Sequence, residues 1–239
     1  MSFRTIVVWL LGIPVTLVLF PFALLGRLVD GTGRLTHRVG SLWCRIILWL
    51  SGVRVIIKGR ENLPEEGSAC VFAVNHKGAF DIPVLQAYLP YDFKWIAKKS
   101  LFYIPFVGWA MGLAGYIPID RKHGGRAYVK SINDAIRRVK GGVSVIIFPE
   151  GTRHPEKGLL PFKKGGFVIA TRSGSPVVPV AISGTEKVMK KGSLVIRPAT
   201  VRVNIGSPIE SQGLDDRSLC ELTREKMEAL LKEIEDKDE

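Results

Sequence analysis

Cysteine is scarce in this chain and carries no pattern. Cys44, Cys70 and Cys220 form no CxxC pair and stand at no Cys/His spacing that would hold zinc. Three scattered thiols also exclude a disulfide framework and fit buried cysteines in a reducing compartment, so the chemistry is expected to face the cytoplasm. No Walker P-loop, GxGxxG or GxSxG is present, which removes nucleotide hydrolysis, a dinucleotide cofactor and a serine nucleophile. Of the four histidines, His37, His123 and His154 lack partners at metal-ligand spacing. Acidic side chains are the minority, 22 Asp and Glu against 34 Lys and Arg. The deficit is uneven, because residues 215–239 hold ten acidic against five basic side chains and residues 1–214 therefore carry +17. Basic and aromatic residues do not interleave as a single-stranded nucleic-acid surface requires, so the charge is assigned to anionic lipid and phosphate, not nucleic acid.

Long apolar runs are nearly absent too, which excludes a polytopic transporter. The one exception is the stretch of 22 uncharged residues between Arg4 and Arg27. As a helix it would reach ~33 Å, enough for a hydrocarbon core of about 30 Å. No small-x-small cleavage site follows it near Ala23, which argues against a signal peptide. A spanning helix with Trp9 and Phe22 at the interfaces fits, and so does a monotopic anchor interrupted at Pro14 and Pro21. Arg27, Arg34, Arg38 and Arg45 give a basic flank, and Leu42–Leu50 offers either an interfacial face with Trp43 and Trp49 or an ordinary core helix. Residues 1–50 are read as a membrane anchor with an amphipathic helical segment, and residues 51–239 as one catalytic domain.

What remains is well suited to a core: 46% of the 239 residues are hydrophobic. Strand-like runs at 53–59, 69–76, 94–99, 115–121, 143–151, 176–182 and 200–209 alternate with helix-like ones at 79–89, 127–142 and 219–235. Residues 101–114 are apolar on all sides. The alternation predicts an α/β fold with a mixed, mostly parallel sheet flanked by helices, preceded by the apolar helical segment. In such sheets chemistry gathers beyond the carboxyl ends of strands.

Three polar clusters sit at those ends. In Asn75-His76-Lys77-Gly78-Ala79-Phe80-Asp81 a histidine could act as general base if a carboxylate fixes its tautomer. The five-residue separation of His76 and Asp81 puts them on different faces of any one helix. They can meet only with His76 on the loop leaving a strand and Asp81 in the first turn of the next helix. Gly78 would permit the bend. Phe148-Pro149-Glu150-Gly151-Thr152-Arg153 brings a glycine that allows close backbone approach and an arginine that can grip phosphate. Tyr116-Ile117-Pro118-Ile119-Asp120-Arg121 ends in a paired acid and base, with Lys163 and Lys164 adding charge further on. Taken singly, each cluster is also readable as a capped or salt-bridged surface turn.

Together and in this order, NHKGAFD, GYIPIDR, FPEGTR and VVPVAI resemble the four blocks of the glycerolipid acyltransferase family, over roughly residues 55–210. The resemblance implies that His76, held by Asp81, takes the proton from the free sn-2 hydroxyl of lysophosphatidic acid. The oxygen then attacks the thioester of acyl-CoA or acyl carrier protein directly, giving phosphatidic acid without an acyl-enzyme. It places Arg121, Glu150, Gly151, Thr152 and Arg153 at the acceptor, Arg121 on phosphate and Glu150 on hydroxyls or positioning an arginine, with Lys163 reinforcing the charge. Backbone N–H groups near Gly78 are candidates for the oxyanion. No metal and no cofactor beyond the acyl donor is implied, and the expected setting is an anionic membrane surface, a bacterial inner membrane. His154 departs from the Ser or Thr that many members carry after the arginine. A different lysolipid acceptor, such as lyso-ornithine lipid, a transacylase, or a non-catalytic lipid-binding protein are the alternatives.

Overall fold

The computed structural model describes residues 3–65, 67–119, 125–190 and 192–235. Two long helices open the chain, α1 (Phe3–Val29) and α2 (Arg34–Ser51). Of the two readings of the first, only the monotopic one has it interrupted at Pro14 and Pro21, and both lie inside one continuous helix. A proline removes one backbone donor and crowds the preceding turn, which neighbouring packing can offset. Here Trp43 of α2 donates its Nε1–H to the Thr16 hydroxyl at 2.9 Å, and Thr36 donates to the Ala23 carbonyl at 2.8 Å. The turn between the helices is organised by Asp30, whose carboxylate accepts the backbone N–H groups of Thr32 and Leu35. Those bonds, the Thr32 hydroxyl foremost, hold the Asp30 carboxyl well below the usual carboxylate range. Gly26 lets the helices close up there, since a Cβ would stand 3.1 Å from Leu35 Cβ.

The body follows in alternation: β1 (Arg54–Lys58), β2 (Val71–Val74), α3 (Asp81–Tyr88), β3 (Phe93–Lys98), α4 (Val107–Leu113), β4 (Ile117–Ile119) and α5 (Arg126–Lys140). It continues with β5 (Ser144–Ile147), α6 (Phe167–Ser173), β6 (Val177–Ser183), α7 (Thr185–Val188), β7 (Thr200–Ile205) and α8 (Asp216–Glu235). Among the described residues these strands form one sheet of order β1-β7-β6-β2-β5-β3-β4, in which only the β6–β7 pair is antiparallel. The mixed, mostly parallel sheet expected from the alternation is what forms. The strand read over 115–121 starts at Ile117, and Asp120 and Arg121 lie outside the described residues. The apolar stretch 101–114 divides into a 3-10 turn and α4, leaving Tyr103, Ile104, Val107 and Trp109 exposed.

Why β2 reads as an unbroken apolar run is clear from its place. A central parallel strand is covered on both faces and has no polar side to show. Phe72 and Val74 face a cluster shared with Leu48 of α2, Val84 of α3 and Phe93 of β3. Val71 and Ala73 face another, built with Ala135 of α5, Phe167 of α6, and Leu219 and Met227 of α8. Because β6, β2, β5, β3 and β4 run the same way, their carboxyl ends reach one edge of the sheet. Loops starting at residues 75, 148 and 184 meet there.

Candidate active site

His76 sits on the loop leaving β2, and Asp81 is the first residue of α3. The loop folds so that the imidazole Nδ1 stands 2.6 Å from Asp81 Oδ2. Asp81 is fully buried, and its Oδ2 also accepts the Gly78 backbone N–H at 3.0 Å. The second oxygen, Oδ1, accepts the hydroxyl of Thr185, the first residue of α7. A buried carboxylate with these donors is best satisfied when Nδ1 also donates, which leaves the Nε2 lone pair free to accept a proton. Phe148 fixes the ring plane: its ring stacks on the imidazole with centroids 4.1 Å apart and planes 16° from parallel. Gly78 is needed here for a close approach, since a Cβ would come within 2.9 Å of the Thr185 backbone. Its N–H, a candidate for the oxyanion, is engaged by Asp81 instead.

Glu150 makes contacts that its sequence does not announce. It is buried, and its two carboxylate oxygens accept the backbone N–H groups of His76 at 2.7 Å and Leu160 at 3.0 Å. Each oxygen thus takes one backbone N–H, so the contacts it makes are to the main chain of the site. It holds the loop after β5 against the histidine. His154 joins this seam through its backbone, donating its N–H to the His76 carbonyl at 2.7 Å. Gly151 has φ +73°, a left-handed conformation that favours glycine, and a Cβ there would meet Lys163 Nζ at 2.8 Å. Lys163 and the exposed Arg153 thus stand on the same loop system, tied by the Lys163 N–H to Pro149 carbonyl bond of 2.8 Å. Arg121 lies outside the described residues.

A cavity of about 690 Å³ starts at this point. Its polar end is formed by His76, Gly151, Thr152 and Arg153, and its far walls by Leu19 and Phe20 of α1, Trp43 of α2, and Ala110 and Met111 of α4. The volume falls in the range of pockets that enclose a whole small ligand. Polar side chains at its floor are paired with one another. Tyr116 donates its hydroxyl to Gln86 Oε1 at 3.0 Å, Trp95 donates to the same oxygen at 2.7 Å, and the Tyr116 hydroxyl lies 3.1 Å from His37 Nδ1. Burial pushes His37 down to about 4, so that the ring is neutral near pH 7.

The acyltransferase family model matches residues 54–183, the stretch that carries the loops after β2 and β5 and ends just before Thr185. The chain belongs to the acyltransferase family. A 1-acyl-sn-glycerol-3-phosphate acyltransferase of Brassica napus chloroplasts is 39% identical over 192 residues, which cover 80% of this chain and 54% of that relative. The enzyme of the same name from Pseudomonas aeruginosa is 33% identical, over 76% of this chain and 71% of its own length. The crystal structure of the 1-acyl-sn-glycerophosphate acyltransferase PlsC from Thermotoga maritima superimposes with a TM-score of 0.84 at 26% identity, covering 97% of this chain and 95% of that one. Against the Brassica protein and its Arabidopsis thaliana counterpart, the chain spans 54% and 59% of the relative's length.

Within this family member, two contributors to the site lie outside the residues singled out from sequence. Thr185 follows the carboxyl end of β6, and a hydroxyl just past the end of a strand was the available signal. The other is Lys77, whose position inside the histidine loop marked it without giving it a task.

Proposed function

We propose that this protein transfers a fatty acyl group from acyl-CoA or acyl carrier protein to the sn-2 hydroxyl of lysophosphatidic acid, yielding phosphatidic acid. One observation carries the reading: a His–Asp pair, with basic side chains beside it, opens directly into an apolar cavity large enough for a chain. His76 Nε2 takes the hydroxyl proton, and the acceptor oxygen forms its bond to the thioester carbonyl carbon. The tetrahedral intermediate collapses with loss of the thiolate, which receives the proton from the imidazolium. Asp81 stabilises that imidazolium without taking its proton. Arg153 grips the acceptor phosphate, with Lys163 and Arg121 adding positive charge. The thioester is already activated, so no covalent intermediate and no metal or further cofactor enters the scheme.

Residues 1–50 serve as the membrane-facing unit and residues 51–239 as the catalytic domain. Helix α1 turns Leu10, Ile13, Leu17 and Phe22 outward while Leu19 and Phe20 wall the cavity. It is bound to the body near its start, where Thr5 bonds both the N–H and the carbonyl of Ile196, and near its end, where Ala23 accepts from Thr36. A helix tied down at both ends lies in one leaflet more readily than it crosses two. Exposed Tyr103, Ile104 and Trp109 extend the same apolar rim. The lysolipid then passes from the leaflet to His76 without its chain entering water. Three buried, unpaired cysteines suit a reducing environment, which supports placing the active site on the cytoplasmic side.

The test is acyl transfer in detergent micelles with lysophosphatidic acid and either acyl donor, beside the His76→Ala variant. Thiol release that requires the lysolipid and disappears in the variant supports the reading. Equal transfer to lyso-ornithine lipid would reassign the acceptor, and undiminished turnover by His76→Ala would end the mechanism.

A further inference from the structure

Lys77 is the residue after the proposed base, and its side chain is only 3% exposed. Lysine is rarely buried, because an ammonium withdrawn from water must recover its hydration from fixed acceptors. Here it finds three, one for each of its donors. Nζ donates to the Glu156 carbonyl at 2.5 Å, to the Gly158 carbonyl at 3.4 Å and to Glu235 Oε1 in the last turn of α8 at 3.4 Å. Glu186, partly buried, feels the same positive charge.

Those carbonyls belong to residues 152–160, a segment without helix or strand that runs from Thr152 and Arg153 towards Lys163. An irregular loop gets no rigidity from backbone ladders, so its shape depends on outside contacts. The described contacts form a short seam. Glu150 binds Leu160, the His76 carbonyl binds the His154 N–H, and Lys77 binds Glu156 and Gly158 between those points. Every one of these bonds starts at the histidine loop or at the glutamate holding it.

We infer that Lys77 is a positioning residue: its ammonium sets the distance between the phosphate-gripping loop and His76, with Glu235 of α8 as its counter-charge. The inference rests on the acyl-transfer reading and adds a determinant of acceptor recognition to it. The chemistry recognised is a phosphate monoester on a lysolipid. The lysine itself touches no substrate.

The experiment compares Lys77→Met, which keeps most of the stem and removes the charge, with Lys77→Arg and Glu235→Gln in the full-length protein. Activity is measured with lysophosphatidic acid and with monoacylglycerol, which lacks the phosphate. For Lys77→Met the KM for lysophosphatidic acid should rise about tenfold, with kcat and the KM for the acyl donor within about threefold of the parent. Discrimination between the phosphorylated and neutral acceptors should fall by the same factor. Lys77→Arg should recover most of the loss, and Glu235→Gln should show a smaller change of the same kind. If Lys77→Met does not fold, Glu235→Gln decides alone. Unchanged acceptor KM and discrimination in a folded variant, or equal losses with both acceptors, would overturn the proposal. His76→Ala run in parallel separates the two ideas: an active His76→Ala removes the catalytic reading, whereas an inactive one beside an unaffected Lys77→Met removes only the role of Lys77.

Discussion

The Thr185 hydroxyl donates to Oδ1 of Asp81 from 104 residues away, so that both oxygens of the buried carboxylate are engaged before any substrate arrives. Without that donor, Asp81 keeps the Gly78 N–H and the imidazole but is free to turn about its side-chain bonds. Thr185→Val, which keeps the shape and removes the hydroxyl, should lower kcat about tenfold and leave acceptor KM nearly unchanged. Steady-state kinetics in micelles measures both.

Asp81→Asn should cost far more. An amide in place of the carboxylate can present its NH₂ to Nδ1, which drives the ring to the tautomer whose Nε2 carries a proton and cannot accept one. Turnover should drop on the order of 10⁴-fold, a loss known from another His–Asp pair treated in the same way. A circular dichroism spectrum and thermal midpoint close to those of the parent would show that the fold survives.

Glu150→Gln tests whether this side chain holds the loop or meets the acceptor. The amide can accept only one of the two backbone N–H groups, leaving the other facing an NH₂ group in a buried site. Stability should fall by about 1–3 kcal/mol in urea unfolding, alongside a loss of activity. Lost activity at unchanged stability would return Glu150 to the acceptor.

His37 makes stability pH-dependent. Burial lowers its folded value to about 4 from 6.5, so between those limits the unfolded chain binds a proton that the folded chain refuses. The contribution is therefore complete above about pH 6.5 and declines as pH falls, by about 3 kcal/mol at pH 4. Partly buried Glu186, raised chiefly by its burial, works in the opposite sense: it favours the fold at low pH and loses that contribution as pH rises through its folded value. Urea unfolding of the parent and of His37→Phe at pH 7 and 4.5 isolates the histidine, and the variant should show the shallower pH dependence.

Membrane attachment is better tested on the outer face of α1 than by deletion, because removing the helix also removes a cavity wall. Leu10→Glu together with Leu17→Glu, both exposed, should reduce flotation with anionic vesicles and leave transfer to micellar lysophosphatidic acid within a few-fold of the parent. Flotation equal to the parent would move the attachment to the Tyr103–Trp109 rim.

Much of the arrangement was legible because it is local. The meeting of His76 and Asp81 depends on a strand end, a short loop and the first turn of a helix, all within one contiguous stretch. Burial on both faces shows directly in Val71–Val74 as an uninterrupted apolar run. The prolines of α1 left a continuous and an interrupted helix both open, because the cost of a proline in a helix is partly set by its neighbours, and α2 packs beside that helix.

By itself the sequence determined the order of the strands, the α/β class and the local setting in which His76 and Asp81 can meet, since periodicity and short spacings record local geometry. Only the tertiary structure decided that Glu150 reaches the His76 backbone, that Thr185 completes the carboxylate's shell, that Lys77 reaches Glu156 and Glu235, and that α1, α2 and α4 wall a single cavity. Those contacts join residues 74, 104, 79 and 158 positions apart, and no spacing rule reaches so far. Parallel strands create them by delivering distant loops to one edge of the sheet, where hydrogen bonding and the exclusion of water settle which side chains meet.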